Sequence, residues 1–136
     1  MRIITVTTAD ERAAVTAAAQ AATIIRNRFN TAALIDVASN DSPVDGDAKY
    51  DLLNIWSAGE SRDRTFHDPT WLWSVVADHG GHRLLPANEV RQVQTLLRTA
   101  GETNPYLFEP GELGANCWEL DLDAVLNAHL ADTRKQ

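Results

Sequence analysis

The sequence predicts an α+β fold in which a small, mainly antiparallel sheet of three to four short strands packs against four to five helices, with helices holding most of the residues. Hydrophobic residues make up 44% of the chain and charged residues 23%, the proportions of an ordinary globular protein. Several segments carry apolar residues at helical spacing between clear start and stop signals. Shorter segments rich in β-branched and aromatic residues are typical of strands.

The length and the cysteine content limit the class of protein. A chain of 136 residues predicts one globular domain spanning 1–136. Its single cysteine, Cys117, excludes an intrachain disulfide and a cysteine-rich zinc site, which fits a reducing compartment. The first residues lack the apolar core of a signal peptide, and no apolar run approaches the ~20 residues of a membrane span. We therefore expect a soluble, cytoplasmic protein.

The first part of the chain predicts a strand, a helix and a second strand. Residues 1–6 are expected to form the first short strand. The Thr8 to Glu11 spacing is that of a capping box, in which each side chain binds a free backbone amide of the other residue, and it opens a helix over residues 9–27. Apolar residues then alternate at positions 33, 35 and 37, which predicts a strand over residues 33–37, with a helix as the alternative.

The middle of the chain predicts two further helices. Residues 40–46 are mostly turn-forming. Either Asp45 or Asp47 can cap a helix that ends near Ala58. The apolar stripe expected for this helix consists of Leu52, Leu53 and Trp56. Asp68 followed by Pro69 is a typical helix start, so we expect the next helix over residues 69–79, before a glycine pair.

The last third of the chain predicts a helix, a hairpin and a final helix. Residues 86–100 carry apolar side chains at helical spacing, and Gly101 ends this helix. Residues 106–108 and 117–120 are expected to be strands joined by a proline- and glycine-containing turn. A helix over residues 121–133 completes the chain.

The acidic residues are concentrated in one part of the chain. The net charge is −7, and the segment 102–123 contains no Lys or Arg. Six carboxylates in that segment form the predicted partner-binding surface: Glu102, Glu109, Glu112, Glu119, Asp121 and Asp123. Such a surface repels nucleic acid and attracts a basic protein. The simpler interpretation is a solvated face that keeps the protein soluble.

A second group of residues supports an alternative hypothesis. Histidines and arginines around residues 62–83 are the side chains expected to hold an anionic small molecule or a metal for hydrolysis. The group consists of Arg62, Arg64, His67, Trp71, His79, His82 and Arg83. The structural interpretation is the stronger one, because His79 falls in the last turn of the expected helix, where the helix dipole favours a cation, and no spacing matches a known metal or catalytic motif. The sequence therefore assigns no metal ligand and no catalytic residue.

The functional hypothesis is a non-enzymatic interaction module, such as an inhibitor, an immunity-type protein or an adaptor, that binds a basic surface of another protein. It requires no cofactor and no membrane. The sequence leaves homo-oligomerisation open. Four tryptophans in a short chain favour recognition, because Trp and Arg are enriched among interface hot spots.

Overall fold

The structure, a computed structural model, describes residues 2–41, 48–58, 71–75, 85–111 and 116–134. These residues form an α+β fold with one antiparallel sheet and three α-helices. The helices are α1 (Ala9–Arg28), α2 (Ala87–Thr103) and α3 (Leu122–Arg134). The strands are β1 (Ala32–Asp41), β2 (Ala48–Ser57), β3 (Trp71–Ser74), β4 (Glu109–Pro110) and β5 (Cys117–Asp121).

The strands lie in the order β3-β2-β1-β5-β4, and every neighbouring pair is antiparallel. Ile35 at the centre of β1 lies opposite Ile55 of β2 and Leu120 of β5. Residues directly opposite each other project to the same face of a sheet. These three fully buried side chains therefore define the face of the sheet that packs against the helices.

The three helices are fastened to one another by ion pairs at their ends. Because each pair joins the end of α1 to an end of a neighbouring helix, α1 lies between α2 and α3. Its contacts with α3 at both ends show that these two helices run antiparallel. The pairs are Arg12 with Asp132 at 2.9 Å, Arg28 with Glu89 at 2.6 Å, and Arg26 with Asp123.

The alanines of α1 let the helix layer pack closely. Ala14, Ala18 and Ala22 are completely buried, and they recur four residues apart on one side of the helix. Small side chains at this spacing allow neighbouring helices to approach. Side chains of all three helices and of the sheet join in one apolar cluster.

Five predicted elements are confirmed. α1 begins with the predicted capping box: the Thr8 hydroxyl accepts from the Glu11 amide at 3.1 Å, and the Glu11 carboxylate accepts from the Thr8 amide at 2.9 Å. The strand at residues 33–37 lies within β1, the helix at 86–100 corresponds to α2, and the helix at 121–133 corresponds to α3. The strand at 117–120 is also present, as β5.

The predicted numbers of elements were wrong, because the described residues contain three helices and five strands instead of four to five helices and three to four strands. The helix expected up to Ala58 is instead β2. A register shift opposite Asp36 and Val37 makes Leu52 and Ile55, three positions apart, face the same side. This spacing imitates a helical stripe in the sequence, whereas Trp56 belongs to the opposite face.

The helix expected over residues 69–79 was wrong for the part that is described. Trp71–Ser74 is strand β3 at the edge of the sheet, paired with β2. A segment with two tryptophans suits a pleated strand, and pairing with β2 outweighs a helix-start signal. The Asp68 and Pro69 that carried this signal lie outside the described residues.

Two short strands were also misplaced. Residues 2–7 form no strand; this segment is held through the Arg2 side chain, which donates to the carbonyl of Tyr106 at 2.7 Å. Residues 105–107 form a 3-10 helix instead of a strand, with the Asn104 side chain accepting from the Tyr106 amide. The predicted hairpin partner of β5 is therefore β4, a little farther along the chain.

Candidate partner-binding site

A row of polar side chains crosses the whole sheet on the face opposite the apolar core. The row follows from the strand register, since Asp36 is the direct neighbour of Asn54 on one side and of Glu119 on the other. Ser74 lies beyond Asn54, and Glu109 lies beyond Glu119. We call Ser74, Asn54, Asp36, Glu119 and Glu109 the polar row. One residue from each of the five described strands contributes to it.

The centre of the polar row is a buried carboxylate. Asp36 is 1% exposed, and its Oδ2 accepts hydrogen bonds from Trp56 Nε1 at 2.6 Å and from Asn54 Nδ2 at 3.1 Å. A carboxyl group removed from water requires such hydrogen bonds to offset the loss of its hydration. Asn54 is also buried, and its Oδ1 has no hydrogen-bond partner among the described residues. This part of the row is therefore a buried polar network.

Sequence reasoning missed Asp36 as a functional candidate. The signal was present, because the alternation of apolar residues at 33, 35 and 37 places Asp36 on the opposite face of the strand. A carboxylate in an otherwise apolar strand normally marks a solvated face. Its burial follows only from the tertiary contacts with Asn54 and Trp56, which are distant in sequence.

The other end of the polar row lies at the surface. Glu109 is exposed and Glu119 is half-buried, and the two carboxylates are directly opposite each other on β4 and β5. Arg2 forms an ion pair with Glu109 at 3.2 Å, and its backbone amide lies 3.4 Å from Oδ2 of Asp121. The structure thus brings together three of the predicted partner-binding residues, Glu109, Glu119 and Asp121.

The remaining predicted carboxylates lie elsewhere. Glu102, near the end of α2, accepts from Arg98 one turn earlier at 3.0 Å. Asp123, in the first turn of α3, pairs with Arg26 of α1. Asp121 has a structural role as well, since its Oδ1 accepts from the Ala124 amide at 3.0 Å at the start of α3. Glu112 lies outside the described residues.

Two exposed apolar side chains lie next to the acidic end of the row. Ile3 is 86% exposed and Tyr106 is 83% exposed. The Arg2 guanidinium donates to the carbonyls of Tyr106 and Leu107 and pairs with Glu109. The Tyr106 backbone is thereby held close to the acidic end of the row.

The alternative site is only partly visible in the structure. Arg62, Arg64, His67, His79, His82 and Arg83 lie outside the described residues, so their convergence stays a prediction. Trp71 is described: it is partly buried in β3, opposite Trp56. Within the described ranges, no group of three or more His, Cys, Asp or Glu side chains is arranged to hold a metal ion.

The comparisons with known proteins add no relationship. No protein-family model matches the chain, and no similar curated protein or solved structure was found. Among the helices of the described ranges, none has the length and apolar character needed to span a membrane. The arguments about function consequently rest on the geometry of the chain itself.

Proposed function

We propose that this protein is a non-enzymatic interaction module that binds a basic surface of another protein, as an inhibitor, an immunity-type protein or an adaptor does. The observation that carries the proposal is the direct opposition of Glu109 and Glu119 at the exposed end of the polar row. The two carboxylates lie side by side on neighbouring strands, and Arg2 pairs with Glu109. Adjacent carboxylates at a protein surface favour the approach of a cationic side chain of a partner.

A basic partner would add favourable interactions at this place. A Lys or Arg side chain near Glu109 and Glu119 adds to the ion pair that Arg2 already forms with Glu109. Complementary charge also raises the rate of association and helps to reject unsuitable partners. The net charge of −7 adds a long-range attraction between this protein and a basic partner.

Tyr106 and Ile3 supply the apolar area that charge alone does not provide. Interfaces depend on a few aromatic or Arg anchors surrounded by polar groups. An exposed Tyr beside Glu109 fits that arrangement, and the Arg2 contacts hold its backbone in position. We expect the partner to carry an apolar depression bordered by basic residues. The half-buried free cysteine, Cys117, agrees with our expectation of a cytoplasmic location.

The proposal is tested by affinity capture from native lysate, quantified by mass spectrometry. The bait proteins are wild type and a variant with Glu109→Lys and Glu119→Lys. The matched control carries Asp10→Lys, Asn30→Lys and Asn88→Lys, which produces the same change in net charge at exposed positions outside the predicted partner-binding surface. Thermal unfolding monitored by circular dichroism verifies that each variant is folded.

We expect a basic protein that is captured by wild type and by the control but is lost with the Glu109 and Glu119 variant. Its capture should weaken as the salt concentration increases, because exposed charges are screened. Equal capture by all three baits would show that the acidic surface does not bind the partner. Equal loss with both variants would show that net charge matters and the polar row does not.

A second pair of variants tests the apolar part of the surface. Tyr106→Ala should weaken binding of the captured protein by at least about tenfold, the effect of losing an interface anchor. Leu130→Ala is the control, since Leu130 is also exposed, at 52%, and lies on α3. Similar dissociation constants for the two variants, measured by surface plasmon resonance, would place Tyr106 outside the interface.

A further inference from the structure

A groove lies on the surface of the helix layer, away from the polar row. Its volume is about 520 Å³, within the usual range for small-molecule sites. All three described helices contribute to its walls. α1 contributes Gln20, Thr23 and Ile24 around the small side chain of Ala19, and α3 contributes His129. The third wall, from α2, contains Gln92, Thr95 and Leu96.

The groove offers neutral hydrogen-bonding groups. Among the described residues, those that line it include no Asp, Glu, Lys or Arg, although such residues make up 23% of the chain. The exposed Gln20 and Gln92 face the groove from opposite helices, and each carboxamide offers a donor and an acceptor in one plane. A ligand with a net charge would enter without a counterion, which is unfavourable.

Toward a ligand, the two threonine hydroxyls of the groove can act only as hydrogen-bond acceptors. The Thr23 hydroxyl donates to the Ala19 carbonyl at 2.9 Å, and the Thr95 hydroxyl donates to the Arg91 carbonyl at 2.9 Å. Each hydroxyl proton is therefore used within its own helix, and the oxygen lone pairs remain available for a donor group. The partly buried Ile24 and Leu96 add apolar surface.

His129 provides a second indication of a binding site. Its Nδ1 is buried and has no hydrogen-bond partner among the described residues. A buried nitrogen without a partner is uncommon in folded proteins and calls for a specific explanation. The same residue lines the groove, so the imidazole lies beside the space that a ligand would occupy.

The groove is held open by the helix layer itself. The ion pairs of Arg12 with Asp132 and of Arg28 with Glu89 join α1 to its two neighbours beyond the ends of the groove. A site whose walls are fixed before binding loses less conformational entropy when a ligand enters. The groove is thus a preformed site.

We infer that this groove binds a small neutral molecule that carries a carboxamide group and a branched apolar group. The carboxamide pairs with Gln20 or Gln92, donating to one oxygen and accepting from one amino group. The branched group lies against Ile24 and Leu96. This site is distinct from the acidic surface proposed to bind a protein, and neither depends on the other.

The test uses N-acetyl-leucinamide as the probe and follows the protein by two-dimensional NMR of backbone amides, glutamine side-chain amides and histidine imidazoles. We expect saturable shifts at Gln20, Gln92 and the imidazole of His129, with a dissociation constant on the order of 1–10 mM for so small a molecule. The anionic N-acetyl-leucine and the cationic leucinamide have the same apolar group. Each should bind at least about tenfold more weakly because of its unpaired charge.

Two variants identify the site. Gln20→Leu combined with Gln92→Leu should remove the saturable shifts at His129, whereas Arg91→Gln, at an exposed position that does not line the groove, should preserve the shifts of wild type. Matching spectra of the unliganded variants confirm that the fold is intact. Equal affinity for the neutral and charged probes, saturable shifts confined to other surfaces, or no saturable shift with wild type would each overturn the inference.

Discussion

The two faces of the sheet both contain buried side chains, but one face buries apolar residues and the other buries polar ones. On the face toward the helices, Ile35, Ile55 and Leu120 are completely buried among apolar side chains. On the other face, Asp36 and Asn54 are almost as buried, but they depend on hydrogen bonds. Burial alone therefore does not identify a hydrophobic core. The apolar face is stabilised by area and close packing, whereas the polar row is stabilised only while its donors and acceptors remain paired.

The largest loss of stability should come from the apolar face. Ile35→Ala removes a fully buried side chain from the middle of the sheet and leaves a cavity between strands and helices. We expect a loss of about 4 kcal/mol in the free energy of unfolding, measured by urea denaturation. A loss below about 1 kcal/mol would mean that this face is loosely packed, and the comparison between the faces would then fail.

Asp36→Ala should produce the next largest loss, about 3 kcal/mol, because the donors of Trp56 and Asn54 remain buried without their acceptor. Asp36→Asn is the matched control, since it keeps one oxygen in the same position and should lose less. If alanine were as stable as wild type in urea denaturation, the buried part of the polar row would contribute no net stability.

Close packing between α2 and β2 is tested at Gly101. A Cβ at this buried position would overlap the ring of Tyr50, which itself packs on Phe108 with ring centroids 5.5 Å apart. We expect Gly101→Ala to lower the free energy of unfolding by about 2 kcal/mol through overpacking, despite the better helix propensity of alanine. Combining it with Tyr50→Leu should recover most of that loss. Without this recovery, the clash with Tyr50 is not the cause.

The helix start at Thr8 lies outside both faces of the sheet. Its substitution gives the loss of stability expected for one local hydrogen bond, with which the other losses can be compared. Thr8→Ala removes one cap from the backbone amides of α1 and should lower the free energy of unfolding by about 1 kcal/mol, measured by thermal denaturation. Thr8→Ser keeps the hydroxyl and should behave as wild type. An effect as large as that of Asp36→Ala would show that local and tertiary hydrogen bonds are equivalent in this protein.

The same capping box predicts a dependence of stability on pH. Hydrogen bonds from the hydroxyl and amide of Thr7, followed by those from Thr8, lower the pKa of Glu11 below its ordinary value of 4.5. The stabilisation is therefore fully present above the pKa of the unfolded state and is lost as the pH falls through the lower pKa of the folded state. Glu11→Gln should show a flatter decline in this acidic range. Parallel curves for the two proteins in urea denaturation would exclude the contribution of Glu11.

The sequence by itself determined the features that depend on neighbours along the chain. The capping box of α1, the helical spacing of α2 and the alternation in β1 each involve residues a few positions apart, and all three were predicted. The acidity of the 102–123 segment was equally visible. Glu109, Glu119 and Asp121 were identified as candidates from composition alone.

Only the tertiary structure decided where those elements pair and which charges meet. The strand at Ala48–Ser57 resembles a helix until the register shift against β1 explains the spacing of its buried residues. Asp36 joins the polar row because β1 lies between β2 and β5, which are distant in sequence. Arg2 and Arg26 neutralise particular carboxylates through contacts about a hundred residues apart in the chain. Strand pairing and ion pairing at such separations depend on packing free energy, to which local sequence preferences contribute little.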